Sequence, residues 1–215
     1  MIENRLKAVV GAIRQRSFNI LLDSGLSPNQ ITCIGLALVM CNCAFYLICR
    51  DTFFLGVGLA LSFTADGLDG AVARRLGKTT KFGGYLDAVV DRYQEILSYF
   101  VLATVNSWWL PVFLLTTGAM MVSYNKAAVA IEIPIEDKAW PDLMERPQRT
   151  AIFCAALILD HVVYVPDALG GHLILIVLYY LAALTHFTAL QRFLRARRRL
   201  VAHDLAGIRD SSLTP

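Results

Sequence analysis

The sequence predicts an all-α polytopic membrane protein, with six transmembrane helices behind an N-terminal amphipathic helix in the membrane interface. Three observations predict it. Hydrophobic residues make up 56% of the 215-residue chain and charged residues 17%, against about 25% charged in an ordinary soluble domain. A bilayer-spanning helix needs roughly 20 apolar residues, and apolar runs near that length recur at 30–49, 52–73, 84–104, 109–130, 150–165 and 172–194. Lysine and arginine crowd every second connection between those runs and almost vacate the others.

Residues 1–28 carry charges throughout, without the short apolar core and small-residue site of a cleaved signal. Leu6, Val9, Val10, Ile13, Phe18 and Leu21 recur at roughly helical spacing, with Lys7, Arg14 and Arg16 between them. Such a segment lies in the membrane interface. The first span opens with SPNQIT at 27–32, where Ser27 suits a helix cap and Pro28 the first turn. Spans two and three are joined by RRLGKTTKFGG, which is short enough to make them antiparallel neighbours. Span five is the shortest, and a basic tail, 196–215, follows span six. With no fixed-period repeat and no low-complexity tract, 1–215 reads as a single domain.

Charge sets the orientation. Basic residues stand at 5, 7, 14 and 16, at 74, 75, 78 and 81, at 138, 146 and 149, and from 192 onward. The alternate connections hold only Arg50 beside Asp51, then NSWWLP, then VPDALGGH. Cytoplasmic loops carry the Lys/Arg excess, so both termini are expected in the cytoplasm. The net charge of +3 then reflects inner-loop bias and attraction to anionic membrane lipids, and not nucleic acid. Cys33, Cys41, Cys43, Cys49 and Cys154 fall in or at the ends of spans without zinc-like spacing. They are expected to be small buried hydrophobes. Trp108, Trp109 and Trp140 suit interfacial belts, and Asp160-His161 is expected as an interface pair near the outer surface.

The chemistry concentrates in DGLDGAVARRLGKTTKFGGYLDAVVD at 66–91. Asp66 and Asp69 are three apart and Asp87 and Asp91 four apart, so each pair shares a helical face. Two antiparallel spans bring the pairs together near the inner surface. Four carboxylates at low dielectric repel one another, and hard divalent cations with oxygen ligands relieve that repulsion. Two such ions, magnesium or manganese, suit a diphosphate. Gly67, Gly70, Gly83 and Gly84 permit close approach, and Arg74 can fork onto a phosphate. Helix-tying ion pairs with Arg74, Arg75 or Arg92, or an ion path, remain open on the carboxylate count alone.

The spacing is more specific than the count. Asp66-x-x-Asp69-Gly70-x-x-Ala73-Arg74, eight residues, then Gly83-x-x-x-Asp87-x-x-x-Asp91 resembles the signature of the CDP-alcohol phosphotransferase family at every fixed position. The resemblance implies transfer of a substituted phosphate from a CDP-linked lipid alcohol, usually CDP-diacylglycerol, to an acceptor hydroxyl, with loss of CMP. It also implies metal on Asp66, Asp69, Asp87 and Asp91, with Asp91 as the catalytic base. It implies CDP contacts from Gly70, Ala73, Arg74, Thr80 and Gly83, and a homodimer. An ordinary aspartate is a weak base, with a pKa of about 3.9, so its surroundings must strengthen Asp91.

Lys126, Arg146 and Arg149 fall on the same side by topology and suit a second phosphate, that of the acceptor. Ser123, Tyr124 and Lys126, with Glu145-Arg146-Pro147-x-Arg149, look like the inositol-phosphate-using branch. Ala128 and Ala130 depart from it, standing where that branch usually has a basic and an acidic residue. Inositol phosphate is thus the first expected acceptor, before glycerol 3-phosphate and serine. A membrane prenyltransferase would need more spans and more distant aspartate motifs. A transporter would spread its carboxylates through the bilayer.

Overall fold

The computed structural model describes residues 25–66, 69–133 and 143–211. The described residues fold into seven α-helices and one 3-10 turn: α1 (Pro28–Cys49), α2 (Thr52–Asp66), α3 (Asp69–Arg75), α4 (Lys81–Asn106), α5 (Trp109–Glu132), α6 (Arg146–Leu159), the turn Asp167–Leu169, and α7 (Leu173–Ser211). The interfacial helix expected over 1–28 lies almost wholly outside the described residues, as does Trp140.

Ser27 caps α1 as expected. Its hydroxyl accepts from the Gln30 amide at 3.4 Å, and its own amide donates to Gln30 Oε1 at 2.8 Å. This reciprocal pair satisfies donors that a helix start leaves open, and Pro28 in the first turn has no amide hydrogen to satisfy. Thr80 caps α4 by one bond, its hydroxyl accepting from the Gly83 amide at 2.9 Å.

The bundle packs α1 against α2, α3 and α4, α2 against α6, and α7 against both α5 and α6. One core joins them, with Tyr46, Leu59, Leu102, Leu115, Phe153 and Leu178 all buried. Tyr99 meets Phe153 edge to face at 4.9 Å between ring centroids. The outer surface is apolar too: Ile34, Leu38, Phe45, Phe54, Leu61 and Phe113 point outward. Water would not tolerate so broad an apolar surface, whereas lipid tails do. The same logic corrects the cysteines. Cys43 and Cys154 are buried, but Cys33 and Cys41 are exposed on α1 among outward apolar side chains.

Among the described residues, two helices, Pro28–Cys49 and Leu173–Leu205, are long and apolar enough to cross a membrane, and Thr52–Thr64 is a shorter apolar helix. The six expected spans are thus not all carried by length and composition. Span five becomes a helix of 14 residues, Arg146–Leu159, which starts earlier than expected and stops well short of residue 165. Span three, α4, carries a polar stripe through Asp87, Asp91, Gln94, Glu95 and Ser98 that lowers its hydropathy.

Close approach of α5 and α7 depends on Gly118. A Cβ there would overlap Thr185 Oγ1 and come within 3.0 Å of Thr185 Cβ and 3.1 Å of His186 Cδ2. Glycine at such crossings lets membrane helices pack backbone to backbone. Gly118→Val is expected to cost about 1–3 kcal/mol, measured as a lower thermal unfolding midpoint in detergent.

At the end of the bundle away from the aspartates, the histidines pair differently from expectation. His161 Nε2 bonds Asp51 Oδ1 at 3.0 Å, while Asp160 Oδ2 bonds His172 Nδ1 at 3.1 Å. Adjacent residues at a helix end point apart, so Asp160 reaches across to α7 and also accepts from the Ile174 amide at 3.0 Å. Partial desolvation pushes the Asp51 carboxyl up, but the Phe53 amide and His161 outweigh it and hold the group below its ordinary value.

Candidate active site

Helix α4 carries two of the four signature carboxylates. Asp87 and Asp91 lie one turn apart on it, both half-buried. The side chains of Asp66, at the end of α2, and Asp69, at the start of α3, lie outside the described residues. Among the described residues, no cluster of three or more His, Cys, Asp or Glu is arranged to hold a metal.

Two cavities share Asp87. The first is lined by α1 through Pro28, Asn29 and Thr32, by α3, by the 78–80 loop and by the start of α4. All five residues expected to contact CDP line it: Gly70, Ala73, Arg74, Thr80 and Gly83. Arg74 folds back over Gly70, its Nη1 lying 3.5 Å from where a Cβ would stand. Gly83 sits in a crowded spot: a Cβ there would come 3.0 Å from Thr80 Oγ1 and 3.1 Å from Asn29 Oδ1, so one of those side chains would have to shift. Thr80 therefore has a structural task, capping α4, beside any task toward a ligand.

The second cavity runs from Asp87 and Asp91 on α4 to α5, the start of α6, and α7. Lys126, Arg146 and Arg149, the three cations expected to bind an acceptor, all line it. Arg146 is ion-paired with Asp91 Oδ1, and its Nη2 donates to Gln94 Oε1 at 2.6 Å. Its guanidinium carbon lies 5.6 Å from the Phe63 ring centroid, a cation–π distance. Arg149 is 1% exposed and grips Glu95 Oε1 from Nε at 2.7 Å and Nη2 at 2.6 Å.

Sequence reasoning missed Arg192, Gln94 and Glu95 here. Arg192 of α7 lines the second cavity and donates to the Val122 carbonyl, although its position suggested only a flanking positive charge. Arg92 lies 3.7 Å from Asp91 and donates to Ser123, as the helix-tying alternative allowed. Gln94 and Glu95, three and four residues beyond Asp91, were legible from helical spacing alone.

The family model for CDP-alcohol phosphatidyltransferase matches residues 26–191. The chain belongs to this family. It is a phosphatidyltransferase, a membrane-associated transferase of phospholipid biosynthesis, and the prenyltransferase and transporter alternatives give way. An archaetidylinositol phosphate synthase of Pyrococcus horikoshii is 32% identical over 86% of this phosphatidyltransferase and 92% of its own length. Two crystal structures of the phosphatidylinositol phosphate synthase of Mycobacterium tuberculosis share the fold at 22% identity. The one with CDP-DAG bound has a TM-score of 0.72 and covers 86% of this chain and 94% of its own. The other, in complex with manganese and citrate, has a TM-score of 0.71 over 83% and 86%. The family depends on a metal. The carboxylates of Asp87 and Asp91, a turn apart and facing one cavity, are the hard oxygen donors that such an ion prefers.

Proposed function

We propose that this phosphatidyltransferase moves a phosphatidyl group from CDP-diacylglycerol to a hydroxyl of inositol phosphate. The observation that carries the reading is Asp87 standing in the wall common to both cavities, with the CDP-signature residues on one side and a ring of cations on the other. The acceptor half favours a phosphorylated alcohol. Lys126, Arg146, Arg149 and Arg192 line it together, and serine offers no phosphate to use them.

The donor's cytidine end lies along α1, α3 and the start of α4, with Arg74 on its diphosphate. Asp66, Asp69, Asp87 and Asp91 would hold two magnesium or manganese ions, which would polarise the diphosphate and neutralise its charge. Arg146 and Lys126 take the acceptor's phosphate and bring its hydroxyl toward Asp91. Asp91 accepts the hydroxyl proton as the oxygen attacks the lipid-bearing phosphorus. The bond from that phosphorus to the CMP oxygen breaks, and CMP leaves with the electron pair.

The chain forms one membrane-embedded domain with six spans, both termini in the cytoplasm and the reaction at that face. The alternating lysine and arginine content of the connections supports this topology. A homodimer follows from the family resemblance.

Purified protein given magnesium, labelled CDP-diacylglycerol and a panel of acceptors is expected to release CMP with inositol phosphate, and to stop when EDTA removes the metal. Release with glycerol 3-phosphate or serine in preference to inositol phosphate would overturn the acceptor.

A further inference from the structure

We propose that Gln94 and Glu95 are positioning residues that set the chamber's affinity for a phosphorylated acceptor, by fixing Arg146 and Arg149 before it arrives. This rests on the acceptor reading above. Both side chains are buried, Gln94 at 0% and Glu95 at 1% exposure, and both face the chamber's arginines. A buried amide or carboxylate is costly unless its hydrogen bonds are made. Here Gln94 Oε1 and Glu95 Oε1 accept from cations that line the cavity.

The division is by residue. Gln94 Oε1 accepts from Arg146 Nη2 at 2.6 Å. Glu95 Oε1 accepts from two nitrogens of Arg149, and the Tyr99 hydroxyl donates to the same oxygen at 3.3 Å. Glu95 Oε2 faces Arg92 Nη1 at 3.4 Å. Asp91, Gln94 and Glu95 thus form one polar face of α4 that pins two arginines of α6 and one of its own.

That matters for binding, because an unheld arginine samples many rotamers and loses that freedom when a phosphate captures it. A guanidinium fixed beforehand removes the loss from the binding step. Gln94 also adds no further negative charge beside Arg146, which already pairs with Asp91, because a neutral amide orients the cation without neutralising it. Glu95 compensates Arg149 and Arg92 from behind the cavity, so three clustered guanidiniums do not repel one another apart.

The decisive variant is Gln94→Met, which keeps length and removes the acceptor oxygen. It is expected to raise the KM for inositol phosphate about tenfold. The KM for CDP-diacylglycerol should stay within about twofold, and the unfolding midpoint in detergent near wild type. Glu95→Gln, which retains one acceptor oxygen, should raise the acceptor KM less than Glu95→Ala. An unchanged acceptor KM in Gln94→Met, or an equal rise for the donor, overturns the proposal even where wild-type protein uses inositol phosphate. If wild-type protein uses unphosphorylated inositol equally well, the acceptor reading fails, and this inference falls with it.

Discussion

Asp91→Asn is expected to lower kcat about a thousandfold, within the range that a positioned base contributes. The substitution keeps the size of the side chain and leaves an oxygen to receive Arg146, which pairs with Asp91 Oδ1 in the structure. It removes the basic group. Binding of CDP should be largely spared, because the cavity holding the CDP-signature residues includes Asp87 but not Asp91. Single-turnover CMP release together with equilibrium binding of CDP separates the two effects. Turnover at the wild-type rate would remove Asp91 as base and leave Asp87 and Glu145, the other described carboxylates lining the chamber, as the candidates.

Arg146→Ala is expected to raise the KM for the acceptor phosphate by about a hundredfold, the scale for losing a charge-assisted fork to a phosphate. It should also depress kcat, because Arg146 has a second task. It lies between Asp91 and Gln94, so its loss releases the base from a partner that orients it. The donor KM should change little, since Arg146 lines only the cation-rich cavity of the two. Arg146→Lys restores charge without the planar fork and should recover only part of the loss. A rise confined to the donor KM would place the acceptor elsewhere.

Much of this was written in the sequence because it rests on local rules. The Ser27 cap follows from residues three positions apart, and the structure shows both of its hydrogen bonds. The signature residues Gly70, Ala73, Arg74, Gly83 and Asp87 line one cavity, since fixed spacing on short helical stretches fixes which residues share a wall. What stayed hidden depends on which helices meet. Arg192 lies far along the chain from Lys126, and only the packing of α7 against α5 brings it to the same cavity. Asp160 stands next to His161 in sequence yet bonds His172, because the fold turns α7 back over the end of α6. Cys33 and Cys41 look like core residues by composition, and composition cannot tell an inward apolar face from one facing lipid.

The cavity shared by α1, α3 and α4 and the one shared by α4, α5, α6 and α7 have a single strut in common. Descent with modification can therefore alter one cavity's lining while the other is inherited untouched. On the function proposed above, replacements on the last three helices would retune which alcohol is chosen, and the nucleotide half would serve each new product lipid unchanged.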